Sequence, residues 1–147
     1  MTQEETTAPA GYQDFQNKII AEFRANGGKV GGMFEGATLC LLTTVGARSG
    51  EHRTTPLGYL EVDGQPLVVA SAGGAPNNPA WYYNVLKNPR VTVEVGNTSY
   101  EAVAEAPTGE ERDRLFAGAV QVAPGYGDYQ AKTTRSIPVV VLRRVDV

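Results

Sequence analysis

The sequence predicts a mainly β (α+β) fold, a closed or nearly closed antiparallel barrel of six strands with flanking helices. Three observations predict it. Six short runs rich in Val, Leu, Thr and Tyr, at residues 38–44, 56–62, 66–71, 91–95, 99–104 and 137–142, have the length and composition of strands. Asp63-Gly64 and Gly96-Asn97 are two-residue turn signals, so hairpins join consecutive strands there. No G-x-G-x-x-G opens a helix, and too few of the gaps hold a helix for a parallel doubly wound sheet.

Taken in order, residues 1–10 form a polar lead-in and residues 11–147 a single domain, a length that buries a core without staples. The lead-in carries Glu4 and Glu5 and lacks a basic region followed by an apolar one, so it does not read as a secretory signal. Tyr12, Phe15, Ile19 and Phe23 recur at helical spacing, and Asn26-Gly27-Gly28 stops that helix. Its charge-balanced polar face favours packing on the sheet, with a place over a ligand cleft or a peripheral membrane contact left open. Residues 31–36 read as an irregular connector, and residues 38–44 as a strand buried on both faces.

The 63–64 turn leads into Ser71-Ala72-Gly73-Gly74, a glycine-rich loop. Asn78 as N-cap and Pro79 at the first helical position start a helix through Leu86, and Asn88-Pro89 ends it. Thr108 and Glu111 form a capping box for a helix reaching about Val120. Residues 123–129 form a turn or short helix that presents Tyr126 and Tyr129.

A net charge of −3 gives no general attraction to nucleic acid or anionic membranes. No apolar run approaches the ~20 residues of a membrane span. Cys40 is the single cysteine and His52 the single histidine, so neither a disulfide within the chain nor a cysteine or histidine metal site is expected. A reducing, cytoplasmic location fits. Cys40 stands between leucines and reads as a small buried hydrophobe rather than a nucleophile.

Against this acidic background, residues 45–56 concentrate Arg48, Ser49, Gly50 and Arg53 in one turn. Guanidinium forks match phosphate and carboxylate, so the turn has the composition of an anion site. A pair of solvated charges, one held by Glu51, is the plainer alternative.

The ordered succession Thr43-Thr44-Val45-Gly46, Arg48-Ser49-Gly50, Arg53-Thr54-Thr55-Pro56-Leu57, Ser71-Ala72-Gly73-Gly74, Asn78-Pro79-Ala80-Trp81-Tyr82, Asn84 and Asn88-Pro89 resembles the deazaflavin-dependent nitroreductase family of actinobacteria. Tyr126-Gly127-Asp128-Tyr129 and Ile137-Pro138 extend the likeness, which runs from about residue 38 to residue 142. The resemblance implies a split β-barrel like that of FMN-binding proteins and the use of coenzyme F420, a reduced deazaflavin, with no metal. It implies that Arg48, Ser49, Gly50 and Arg53 hold the phosphate and glutamate tail. Pro56, Leu57, Ser71, Ala72, Gly73 and Gly74 would frame the ring, and Trp81 and Asn84 would border it. Family members often carry a basic residue where this chain has Ala47 and a lysine where it has Ala72. Aromatic residues at the places of Gly58 and Ala123 are also missing, which widens the expected acceptor pocket.

The implied reaction is hydride transfer to an electron-poor conjugated small molecule, such as a quinone, an enone or another activated alkene, or a nitroaromatic. Tyr126 or Tyr129 would supply a proton and Ser71 would orient the acceptor. A non-catalytic deazaflavin, flavin or haem carrier is the alternative of a different class, and a flavin mononucleotide oxidase a third. Monomer and homodimer both remain open.

Overall fold

The computed structural model describes residues 12–31 and 38–145. The lead-in, and all of the 31–36 connector except Gly31, lie outside the described residues. Helix α1 (Tyr12–Ala25) precedes strands β1 (Leu39–Val45), β2 (His52–Gly58), β3 (Leu60–Val62) and β4 (Gln65–Val69). A 3-10 turn (Ala72–Gly74), helix α2 (Ala80–Lys87) and the hairpin of β5 (Arg90–Val95) and β6 (Thr98–Glu105) follow. Helices α3 (Gly109–Val122) and α4 (Gly125–Ala131) lead to the last strand, β7 (Val139–Arg144).

The strands form one sheet in the order β2-β1-β5-β6-β7-β4-β3, antiparallel at every pairing and curled into a half-barrel. Seven strands are present among the described residues, one more than expected. The extra one arises at residues 56–62, which are two strands broken at Tyr59. Up to Gly58 the chain pairs with β1, whereas from Leu60 it pairs with β4 at the opposite edge. At the break the Tyr59 amide donates to the Thr38 carbonyl at 2.9 Å.

Strand β2 also begins four residues before the expected Pro56, because His52 to Thr55 pair in register with Val45 to Leu42. Polar Arg53 and two threonines hide this strand from a hydrophobicity reading, although threonine is β-branched and favours extended backbone. The two expected hairpins are present at 63–64 and 96–97, with Asp63 (φ 53°) and Gly64 (φ 76°) both in the left-handed region that a tight turn of this kind needs.

Side-chain alternation divides the sheet into two faces. Cys40, Leu42, Val68, Val91, Val93, Ala102, Val140 and Leu142 fill the inner face, where Trp81 and Val85 of α2 plug one end. On the outer face, α3 sets Leu115, Phe116 and Ala119 against Leu60, Val62, Leu67, Val69, Val139 and Val141. Helix α1 covers Leu39 and Leu41 with Ile19 and Phe23. Each such large apolar side chain contributes about 1.5–3 kcal/mol by leaving water. The bidentate Arg24–Glu94 pair, at 2.8 and 3.1 Å and largely exposed, adds ~1 kcal/mol or less. The helix is therefore held by Ile19 and Phe23 of its expected apolar stripe, whereas Phe15, placed on that stripe by its spacing, is 46% exposed.

Two helix starts differ from their sequence signals. The first residue of α2 is Ala80, with extended Pro79 at the N-cap. The Asn78 side chain instead accepts a hydrogen bond from Arg135 Nη1 at 2.7 Å, so tertiary structure takes the group that local propensity would spend on capping. Thr108 holds the N-cap position of α3 without a side-chain capping bond.

Candidate active site

The arginine turn is a tight reversal between β1 and β2. Gly46 N–H donates to the Glu51 carbonyl at 2.8 Å, and Gly50 N–H to the Gly46 carbonyl at 3.1 Å. Gly50 at φ +73° supplies the left-handed residue that the reversal requires. Ser49 Oγ accepts the Glu51 amide at 3.1 Å, which curls the backbone around the two exposed side chains Arg48 and Ser49.

Beneath the turn lies Asn84 of α2, which is 2% exposed. Its Oδ1 accepts the Ala47 amide at 3.0 Å and its Nδ2 donates to Thr44 Oγ1 at 3.2 Å. Asn88 Nδ2 adds a bond to the Val45 carbonyl at 3.4 Å. Both ends of the buried Asn84 amide are thus engaged inside the protein. Trp81 likewise packs in the inner core at 5% exposure. Asn84 thus supports the turn from below.

Arg53 is opposite Thr44 in the ladder and therefore shares the inner face with Thr55 and Leu57, whose partners are Leu42 and Cys40. Pro56 faces the other way, opposite Leu41. Nη2 of Arg53 meets Glu51 at 3.2 Å in a solvent-exposed pair. Arg53 Nε is buried and has no hydrogen-bond partner among the described residues. An unmet donor on a guanidinium costs about 1–3 kcal/mol, and its natural complement is an anionic oxygen. The turn and the adjoining face of β2 thus place cationic donors beside a strand that becomes apolar at Leu57.

Among the described residues β2 is not paired with β4 in the sheet, and across this seam β4 leads into the glycine loop. Ala72, Gly73 and Gly74 have φ of 47°, 64° and 82°, three successive left-handed residues. Ala72 carries a Cβ there, a strain of about 1–2 kcal/mol. Gly74 is also sterically fixed, since a Cβ would meet the Tyr129 carbonyl oxygen at 2.9 Å. The segment is held by Arg135, which no sequence pattern had singled out. Its guanidinium donates to the carbonyls of Ala70 (3.2 Å), Ser71 (2.7 Å) and Ala75 (2.9 Å) and to Asn78 Oδ1. Partial burial pulls the Arg135 guanidinium below its usual pKa, an effect opposed by nearby Tyr83. The only hint in the sequence is a basic residue with no carboxylate within six residues of it.

Helix α4 supplies Tyr126 and Tyr129, whose rings meet edge to face at 6.2 Å. The hydroxyl of Tyr126 reaches across to β2, where a Cβ on Gly58 would lie only 2.6 Å from it. This corrects the expected widening of the pocket on that side: the space left by Gly58 is filled by the Tyr126 hydroxyl. Burial, reinforced by Tyr129 and Cys40, pushes the Tyr126 phenol above its ordinary pKa, so it is protonated at neutral pH. Packed against the inner core, the half-buried Tyr59 and Tyr100 pair through their hydroxyls at 2.9 Å, and the Arg144 guanidinium stacks 4.8 Å over the Tyr100 ring. Cys40 is fully buried and its thiol is pushed up to about 12. His52 is exposed at the start of β2. Among the described residues, no group of three His, Cys, Asp or Glu is arranged to hold a metal ion. No helix among them is long and apolar enough to cross a membrane.

The glycine loop and the two tyrosines thus meet near the Gly58 end of β2, and the arginine turn lies at the other end of the same strand, along one seam of the half-barrel. Comparison with known proteins gives that seam its family. The profile of the F420H(2)-dependent quinone reductases matches residues 14–144. The chain belongs to the F420H(2)-dependent quinone reductase family. It is an F420H2-dependent reductase, in line with the resemblance read from its motifs. The quinone reductase Rv1261c of Mycobacterium tuberculosis is 38% identical over 130 residues, which cover 84% of this chain and 86% of the relative. The solved F420-H2 dependent reductase FDR-A is 42% identical, with a TM-score of 0.65 over 71% of this chain and 93% of its own. A further structure, described as a domain-swapped dimer, is 37% identical with a TM-score of 0.68, covering 89% and 98% of the two chains. Split-barrel architecture and coenzyme F420 use follow for this reductase.

Proposed function

We infer that this reductase takes a hydride from reduced coenzyme F420 and delivers it to a quinone or another electron-poor conjugated acceptor. The observation that carries the reading is Arg53. Its buried Nε, without a hydrogen-bond partner among the described residues, lies on the inner face beside the arginine turn, and the same face becomes apolar at Leu57. Arg48, Ser49, Gly50 and Arg53 would hold the phosphate and glutamate tail, with charge-assisted bonds as the main source of affinity. Leu57 and the 71–74 loop would flank the ring. When bound, the coenzyme supplies the two-electron hydride chemistry.

The protein's own part is orientation and a proton. Ser71 would hydrogen-bond the acceptor's oxygen. Tyr126, kept protonated by burial, would donate to the oxygen or carbon that gains charge, with Tyr129 beside it. A quinone suits this arrangement because its two-electron reduction needs one hydride and one proton. Homodimer assembly and a cytoplasmic location belong to the same proposal. The first is supported by the domain-swapped relative.

The test is stopped-flow mixing of the protein loaded with reduced coenzyme against menadione, cyclohexenone and a nitroaromatic. Oxidation within seconds with menadione, and slower with the other two, is the expected order. A coenzyme that binds but is oxidised by none of them would refute the proposal and leave a carrier.

A further inference from the structure

The geometry points to Arg135 as the positioning residue that holds the Ser71 loop in its reactive shape and locks it to the tyrosine helix. The inference rests on the reading above, in which that loop flanks the coenzyme ring. A loop with three successive left-handed residues, one of them an alanine, does not keep its shape through its own backbone. Its internal bonds are few. Gly74 N–H reaches the Ser71 carbonyl at 2.9 Å, and Ala75 N–H the Ala72 carbonyl at 3.1 Å. The carbonyls of Ala70 and Ala75, and the Ser71 carbonyl a second time, converge on one guanidinium, which spends Nε, Nη1 and Nη2 on them. Only a planar fork of several donors meets that set, and a lysine ammonium would meet part of it.

Arg135 is itself fixed by the helix that carries the tyrosines. Gln130 Nε2 donates to the Arg135 carbonyl at 2.7 Å, while Gln130 Oε1 accepts from Arg112 Nη2 at 2.9 Å and from the Ile137 amide at 3.0 Å. Arg112 completes the chain with two bonds to the Ile137 carbonyl at 2.8 and 3.1 Å. A continuous polar path thus runs from α3 through α4 to the 70–78 segment. It ties the Ser71 loop to the helix that carries Tyr126 and Tyr129, two elements that already touch where Gly74 meets the Tyr129 carbonyl. Arg48 and Arg53 lie outside this path, so tail binding and ring placement are served by separate cations.

The experiment compares Arg135→Met and Arg135→Lys with the wild type. In the coenzyme-free protein, hydrogen exchange at the Gly74 and Ala75 amides should quicken more than tenfold in Arg135→Met, with the amides of β1 and β5 unchanged. In the loaded protein, the coenzyme Kd should rise less than about threefold while the saturating hydride-transfer rate to menadione falls at least tenfold. Arg135→Lys should recover part of both losses. Unchanged loop exchange in Arg135→Met would overturn the proposal, and so would a loosened loop with a transfer rate within twofold of wild type. A loss confined to Kd, or one that lysine does not relieve, would also overturn it. Failure of the wild type to oxidise the coenzyme would instead refute the functional reading, and the exchange measurement would still report on the loop.

Discussion

Gly58→Ala probes the place where β2 meets the tyrosine helix. The added Cβ would lie 2.6 Å from Tyr126 Oη, whereas ordinary contact begins at 3.4 Å. The hydroxyl or the strand must therefore give by about 0.8 Å. Crowding in a packed site costs about 1–3 kcal/mol. Replacing glycine by alanine on unstrained backbone returns about 0.4–1 kcal/mol by restricting the unfolded chain. The net expectation is a destabilisation of about 1–2 kcal/mol, read as a lower urea midpoint. Tyr126→Phe removes the offending atom, and the next one, Cζ, is 4.0 Å from the same Cβ. In the Tyr126→Phe background, the alanine should therefore stabilise by about 0.4–1 kcal/mol. A sign change between the two backgrounds is the expected result of the double-mutant cycle. Kinetics should follow, with proton-coupled transfer to menadione slowed about 10- to 100-fold in Gly58→Ala, because the phenol is displaced by nearly an ångström. An alanine of equal effect in both backgrounds would refute the reasoning.

Arg53→Ala should weaken coenzyme binding about 10- to 100-fold, the value of a charge-assisted bond or two, with a shallower salt dependence than the wild type when binding is titrated at several ionic strengths. Asn84→Ala strands the Ala47 amide and Thr44 Oγ1, so a calorimetric stability loss of about 1–3 kcal/mol is expected together with weaker coenzyme binding through the loosened turn. Cys40 sets an alkaline limit. Its folded pKa of about 12 stands above the ordinary 9.0, so its contribution is complete below pH 9 and is lost as pH rises towards 12. Unfolding free energy should then fall by about 1.4 kcal/mol per pH unit above pH 9 through this group, and Cys40→Ala should show a shallower decline in urea titrations between pH 9 and 10.5.

Periodicity made α1 legible to the residue, because Ile19 and Phe23 meet the sheet through the stripe their spacing describes. The two turn dipeptides made their hairpins equally plain. What escaped was decided by contacts distant in sequence. β2 is polar in composition, and its extended state comes from seven register pairs with β1. Asn78 looked like a cap until Arg135, 57 positions away, claimed its side chain. The same reason separates the site residues. Arg48, Ser49 and Arg53 have the composition of an anion turn by proximity in the chain, whereas the buried role of Asn84 under that turn depends on Ala47 and Thr44, 37 and 40 positions earlier.

The order of the sheet places β2 and β3 at its two free edges, although in the chain only Tyr59 stands between them. Among the described residues no ladder hydrogen bonds join these edges, so the barrel is stapled shut there by covalent backbone. Spreading the seam consequently breaks side-chain contacts but no strand pairing. Tyr59, the residue between the two edges, is tied by its amide to the Thr38 carbonyl and by its hydroxyl to Tyr100. The ladders that hold the fold therefore run on the far sides of β2 and β3, so a substitution of a side chain facing the seam leaves the strand pairing intact.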